Sequence, residues 1–218
     1  MYSRKSHMNK NIYHRYVKLP FEHKFPDCFK AKPENMRGEN WHEWCATREH
    51  WDERFVDWLK EYGLKPSNVC EAFYNGPNGG GLPMHNDAST LNNSSNINFT
   101  WGPQDSIVRW YKVKDESLIQ TERDNTDYHK EVYFKDVDID IPVDKFYHAE
   151  VEDCDVVHEA VISQPSLLNV GQLHSTHNFN TSEPRWTLSY HLLTIEDNTH
   201  IQFEDALDLF KDLAYESN

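Results

Sequence analysis

Along this chain, apolar residues recur with two periods. From Thr47 the apolar side chains fall at Trp51, Phe55, Trp58, Leu59 and Tyr62, one face of a helix, with Thr47 placed to cap its start and Gly63 to stop it. A second helical face, Phe203, Leu207, Phe210 and Leu213, lies near the end of the chain between acidic residues. Elsewhere the period is two or the apolar run is short, which predicts strands over Asn11–Lys18, Asn68–Tyr74, Ser95–Trp101, Ser106–Val113, Glu131–Phe134, Phe146–Val151, Val156–Ser163, Ser166–Val170 and Arg185–Leu193. The stretch between the first strand and the first helix reads as an irregular connection. About eight strands after the first helix are enough for a double-sheet jelly roll, so the expected fold is mainly β with flanking helices. No internal repeat interrupts the pattern.

The stretch from Leu167 to Leu193 organises the rest. Its first apolar run ends on His174, and its second opens on Arg185 and continues through Trp186, Leu188 and Tyr190 at alternate positions. Between them Asn178, Asn180, Thr181, Ser182 and Pro184 are residue types that reverse a chain. His174 and Arg185 are therefore expected on adjacent antiparallel strands, a neutral metal ligand beside a fixed cation. Such a pair can hold a metal-chelating dicarboxylate.

Length and charge narrow the setting. A chain of 218 residues with 38% hydrophobic content can bury one core, and nothing in it marks a second domain of similar size. We expect a single domain over 1–218 with its core at about 65–193; residues 1–10, polar and basic at their start, are expected to be disordered or a leader and stay outside the fold argument. The net charge of −14 opposes nucleic acid as a partner, because phosphate binding takes clustered Lys and Arg. Cys28, Cys45, Cys70 and Cys154 form no close pair, so no zinc knuckle or redox motif is encoded. With no long apolar span either, the sequence reads as a cytoplasmic protein without a membrane partner.

The only glycine-rich segment, Asn75–Pro83, lacks the lysine and following helix of a phosphate loop and reads as a flexible connection at a pocket rim. It delivers the chain to His85-Asn86-Asp87. On an extended chain the first and third of these point the same way, and His174 from a neighbouring strand would complete the two-histidine, one-carboxylate set that holds ferrous iron with open positions for substrate and O2. With 13 histidines the spacing also recurs by accident. His50 and Asp52 share it, but they are expected on the first helix, where residues two apart diverge. His148 and Glu150 lie on an expected strand, yet too few strands separate them from His174 to bring the two together in a sandwich. His177 competes with His174 for the distal position; His174 is preferred because it follows the apolar strand directly, whereas His177 would lie in the turn.

These residues resemble a known family, the Fe(II)- and 2-oxoglutarate-dependent oxygenases, whose core is a double-stranded β-helix of jelly-roll, cupin-like form. The resemblance covers roughly Tyr74 to His191: HxD after a strand, a distal His, then an Arg. The string LLNVGQLHSTHNFNTSEPRWTLS looks like hydroxylase-type members found in phage and marine bacterial genomes, and like the aspartyl/asparaginyl and prolyl hydroxylase group. The spacing from His174 to Arg185 is slightly longer than the family's usual one.

The resemblance implies Fe(II) on His85, Asp87 and His174, with 2-oxoglutarate and O2 as cosubstrates and Arg185 with Thr187 gripping the far carboxylate. It assigns Asn178 to the Asn that follows the distal His, and Tyr74 to a tyrosine that reaches the cosubstrate. Asn96, Asn98 and Thr100 share a face that is either solvated or an inward polar ladder, with Asn98 the expected cosubstrate contact, and Arg109 is either a surface or a cosubstrate residue. The implied activity is a dioxygenase that hydroxylates a small-molecule or peptidyl substrate and releases succinate and CO2. A non-catalytic cupin-like binding module and a zinc-type hydrolase on the same ligands are the rivals. Ser89–Ser94 and Glu116–Tyr128 are long and polar enough to form a lid.

Overall fold

The computed structural model describes residues 12–30, 32–34, 36, 38–68, 70–87, 91–123 and 145–216. Most strands that the alternation predicts are present, all paired antiparallel. One sheet runs β13 (Ala214–Tyr215), β1 (His14–Val17), β10 (Ser166–Asn169), β5 (Ser95–Trp101), β12 (Arg185–Thr194), β4 (Cys70–Asn75), β2 (Trp41–Ala46), with β3 (Leu64–Pro66) beside the far end of β12. A smaller sheet runs β11 (His174–His177), β6 (Ile107–Val113), β9 (Cys154–Val161). A ribbon of β7 (Gln120–Arg123) and β8 (Lys145–His148) joins β6 to β9. The expected strand Glu131–Phe134 and parts of both expected lid segments lie outside the described residues.

The two sheets face each other. Val108, Trp110, Ala160 and Ile162 of the smaller sheet and its β9 end pack on Leu168 of β10 and on Val170 just beyond it. The opposite face of the large sheet is covered by α1 (Glu53–Glu61) and α2 (Phe203–Leu209). Phe55, Leu59, Phe203 and Phe210 meet Ile97, Phe99, Leu188 and Tyr190 there, all buried. Each such side chain contributes about 1.5–3 kcal/mol by leaving water. The helical face seen in the sequence is therefore the face that packs.

Three expectations change. First, the helix does not start at Thr47. Thr47 caps a 3-10 turn over Arg48–His50, Trp51 is extended, and α1 begins after Asp52, whose carboxylate accepts from the Arg54 N–H at 3.1 Å. His50 and Asp52 thus lie ahead of the helix, not on it, each engaged in capping. Gly63 closes α1 as expected, with φ +71.

Second, the run Leu167–Leu173 is not one strand. β10 ends at Asn169 and the chain crosses through Val170–Leu173 into the smaller sheet, passing Gly171, where a Cβ would sit 2.0 Å from Asn92 Oδ1. His174 and Arg185 are therefore not on adjacent strands: β11 pairs with β6, whereas β12 pairs with β4 and β5. Both sheets bury the run, so its apolar pattern is continuous across the crossing.

Third, the connection before α1 contains β2. Its two faces are both mixed, Trp41, Glu43 and Cys45 against His42, Trp44 and Ala46, so no alternation betrays it.

Candidate metal centre

The glycine-rich segment is no loose rim. From Asn78 to Asp87 it runs antiparallel to residues 170–180 and acts as a fourth member of the smaller sheet. Asn78 N–H donates to Asn180 O, Gly79 N–H to Asn178 O, Asn178 N–H to Gly80 O, Thr176 N–H to Leu82 O and Asp87 N–H to Val170 O. At Gly81 the strands come so close that a Cβ would lie 1.9 Å from Thr176 O. Asn178, fully buried, ties the arrangement together: its Nδ2 donates to the carbonyls of Asn75, Gly76 and Glu183, and its Oδ1 accepts from Ser106 Oγ and Asn180 N. That makes Asn178 a structural tie, bonded to the backbone behind Asn75 and not itself part of the cavity wall.

This pairing sets the ligands. His85 and His174 exchange both backbone hydrogen bonds, at 2.9 and 2.8 Å, so their side chains leave the sheet side by side with ring centroids 4.6 Å apart. Two residues on, Asp87 projects the same way. Its Oδ1 lies 3.0 Å from His85 Nε2 and 3.7 Å from His174 Nε2, and one donor atom from each of the three falls within 4.8 Å of the others. Among the described residues this is the sole such group.

The surroundings favour a cation. His85 Nδ1 lies 2.7 Å from Pro83 O and His174 Nδ1 lies 3.0 Å from Gln172 O, so Nδ1 of each ring is the donor to a backbone carbonyl and Nε2 is turned toward Asp87. Asn96 Nδ2 donates to Asp87 Oδ2 at 3.3 Å and to Ser189 Oγ at 2.9 Å, so Oδ1 is the oxygen left for a metal. Burial pushes His174 down to about 4, keeping it a neutral donor. Burial alone would raise Asp87, but the attraction to its histidine neighbours in their protonated forms, His174 first, and the hydrogen bond that protonated His85 donates outweigh it and hold the carboxyl below its usual range. His85 moves upward: burial opposes the shift, and the hydrogen bond and charge of Asp87 overcome it.

No protein-family model matches this chain, and no curated protein does. What it binds must be read from the site itself.

The trio lines a cavity of about 380 Å³, its open mouth included, between the sheets. Thr187, Ser189, Phe73, Asn75 and Asn98 contribute from the large sheet, Val108 and Thr176 from the smaller one. Arg185 lines it too, and is 1% exposed. Its one hydrogen bond goes to Thr100 Oγ1 at 3.4 Å, its Nε has no partner, and no carboxylate pairs with it among the described residues. Burial pulls the guanidinium down to about 10, still charged at neutral pH.

The polar row Asn96, Asn98, Thr100 is an inward ladder: Ser189 Oγ, held by Asn96, donates to Asn98 Oδ1 at 2.7 Å. Tyr74 does not reach the cavity. It points to the other face of β4 with its ring 4.8 Å from Trp186, and the cavity positions are its neighbours Phe73 and Asn75. Arg109 is a surface residue paired with Glu159 at 2.7 Å. His177 ends β11 rather than lying in a turn, and it faces away from His174, 2.7 Å from Ser175 Oγ and stacked on Phe179. His148 and Glu150, at the end of β8 and just beyond, lie outside the trio. Sequence reasoning missed Phe73, Asn75, Thr176 and Ser189; for Ser189 the signal was present, since it continues the alternation of Arg185 and Thr187.

Proposed function

We propose that this protein is an Fe(II)- and 2-oxoglutarate-dependent dioxygenase that hydroxylates a small-molecule or peptidyl substrate with release of succinate and CO2. One observation carries the reading: Arg185, buried and without a counter-charge among the described residues, lines the same cavity as His85, Asp87 and His174. A buried, unpaired cation costs several kcal/mol. A ligand with two anionic ends, one for a metal and one for a guanidinium, offsets that cost. Zinc-type hydrolysis gives Arg185 no task, and neither does a metal-only cupin.

The strand order supports a double-stranded β-helix. With β4, segment 78–87, β5, β6, β9, β10, β11 and β12 as eight successive segments, the first neighbours the last, the second the seventh, the third the sixth and the fourth the fifth. That is one long hairpin rolled into two sheets, the jelly-roll arrangement. The β7–β8 ribbon is an insertion between the fourth and fifth segments.

In this reading Nε2 of His85, Oδ1 of Asp87 and Nε2 of His174 hold the metal, and Asn96 fixes the carboxylate. Arg185 receives the far carboxylate of 2-oxoglutarate in a two-pronged grip, with the Thr187 hydroxyl beside it. Phe73, Leu82, Val108 and Leu168 keep water from the reacting end. Ferrous iron with 2-oxoglutarate and O2 supplies the oxidising chemistry. A reducing cytosol suits both ferrous iron and the four free thiols, and no helix among the described residues is long and apolar enough to cross a membrane. The test is succinate formation from 2-oxoglutarate after anaerobic loading with Fe(II) and admission of air. A folded protein that forms none above the His174→Ala background would overturn the proposal.

A further inference from the structure

The cavity wall continues past the metal ligands to a His–Glu pair with no part in holding metal or cosubstrate. On β12, Arg185, Thr187, Ser189 and His191 share one face by alternation, and on β4 so do Asn75, Phe73 and Glu71. The first three residues of the β12 row and the first two of the β4 row line the cavity, and His191 and Glu71 are the next positions beyond them. Glu71 stands directly across from Ser189, and its Oε2 lies 2.6 Å from His191 Nε2. His191 in turn faces Asn96, the residue that grips Asp87, across the β12–β5 pair. The pair is therefore at the metal end of the cavity, opposite the end that Arg185 occupies.

The side chain of Arg185 is buried, those of His85 and Asp87 are 21% and 17% exposed, and that of Glu71 is 31% exposed. Glu71, across from the cavity residue Ser189, is thus a solvent-accessible carboxylate beside the metal end of the cavity. His191 is the hydrogen-bond partner of one Glu71 oxygen, and the carboxylate keeps partial access to solvent. Glu43, across from Phe73 on the same face, adds negative potential that is felt at His85. At the Arg185 end the cavity carries an independent sign of a ligand, the unpartnered Nε of that side chain.

We infer that Glu71, oriented by His191, is the substrate-recognition residue of this site and selects substrates that present a protonated nitrogen beside the carbon to be oxidised. The inference rests on the dioxygenase reading and adds its substrate class. The polarity follows from the wall: the buried cation Arg185 for the dicarboxylate, and beside the metal end the accessible carboxylate Glu71 for an alkylammonium or guanidinium group. The net charge of −14 draws such a substrate in from a distance.

A paramagnetic experiment tests it. The protein is loaded with Mn(II) and 2-oxoglutarate without O2, and proton relaxation is measured for three small probes of matched chain: n-butylammonium, 1-butanol and butyrate. Metal-induced relaxation is expected to be about tenfold stronger for the ammonium than for the alcohol, with butyrate weakest. Glu71→Gln should bring the ammonium down to the level of the alcohol, while Glu71→Asp should retain the preference. Equal relaxation of ammonium and alcohol in the parent protein would overturn the inference, and so would a preference that survives in Glu71→Gln. The parent comparison decides the matter even if the glutamine variant does not fold. Failure of the underlying reading looks different: Mn(II) would not bind at the trio, or 2-oxoglutarate would not bind beside it.

Discussion

Arg185 is a guanidinium buried without a counter-charge among the described residues, and in the proposed reading a ligand supplies that charge. Charge-assisted bonds of the kind it can make to a carboxylate contribute roughly 1.5–3 kcal/mol each. Arg185→Ala is therefore expected to weaken 2-oxoglutarate binding by about ten- to a hundredfold or more while metal still binds, and Arg185→Lys should fall between. Anaerobic calorimetry on the Mn(II) form measures this; unchanged affinity in a folded alanine variant would remove the main reason for preferring an oxygenase. The two neighbouring histidines give a second outcome at this scale. His174 shares a backbone bridge with His85 and points at Asp87, whereas His177 is turned toward Ser175 and Phe179. Anaerobic titration should show His177→Ala keeping most of its Fe(II) affinity and His174→Ala losing most of it; the reverse ranking would move the ligand.

At the scale of elements, the segment 78–87 decides whether the trio exists. It is held to β11 by backbone hydrogen bonds, and Gly81 permits the approach. In Gly81→Ala the new methyl meets a backbone oxygen at 1.9 Å, so the strands must part. We expect a loss of about 1–3 kcal/mol in urea unfolding together with weakened metal binding. Gly79→Ala, where φ is +91 but nothing lies within 4 Å, should cost only the conformational strain of about 1–2 kcal/mol and leave metal binding intact. Equal metal affinity in the two variants would contradict the role given to the segment. The same segment shows what the sequence could and could not reveal. Ser95–Trp101 and Arg185–Thr194 were legible because side chains alternate against a buried face, and the triad was legible because His85 and Asp87 sit two apart on extended chain. Segment 78–87 was not, since its glycines and Pro83 give no side-chain alternation, and its pairing is made by the backbone of Asn78, Gly79, Gly80, Leu82, His85 and Asp87. Tyr74 was placed one residue out of phase, and in a strand that moves a side chain to the opposite face.

For the whole molecule, the consequence is a specific sensitivity to acid. His23 is 5% exposed, stacked 4.0 Å from Phe99, with Nε2 3.0 Å from the Tyr190 hydroxyl and Nδ1 without a partner. Burial pulls it down to about 4, with the Asp52 charge opposing the shift. Its unfolded value is near 6.5, so between about 6.5 and 4 the unfolded chain binds the proton and the folded one does not. The stability it contributes is thus complete above about pH 6.5 and is lost as the pH falls toward 4, on the order of 3 kcal/mol at one proton over that window. Asp87 does not confuse the window, because a carboxyl held below its usual range loses its contribution only at lower pH still. Relief of the −14 charge by protonation acts in the opposite direction and stabilises the fold as pH drops. The histidine effect is local and therefore separable by substitution. His23→Phe keeps the aromatic packing against Phe55 and Phe99 but gives up the bond to Tyr190, at a cost of about 1 kcal/mol at neutral pH. Urea unfolding at pH 7.5 and at pH 5 should show the parent losing more stability than the variant, so that the gap between them narrows or inverts in acid. Parallel losses in the two proteins would mean that His23 keeps the same proton affinity folded and unfolded.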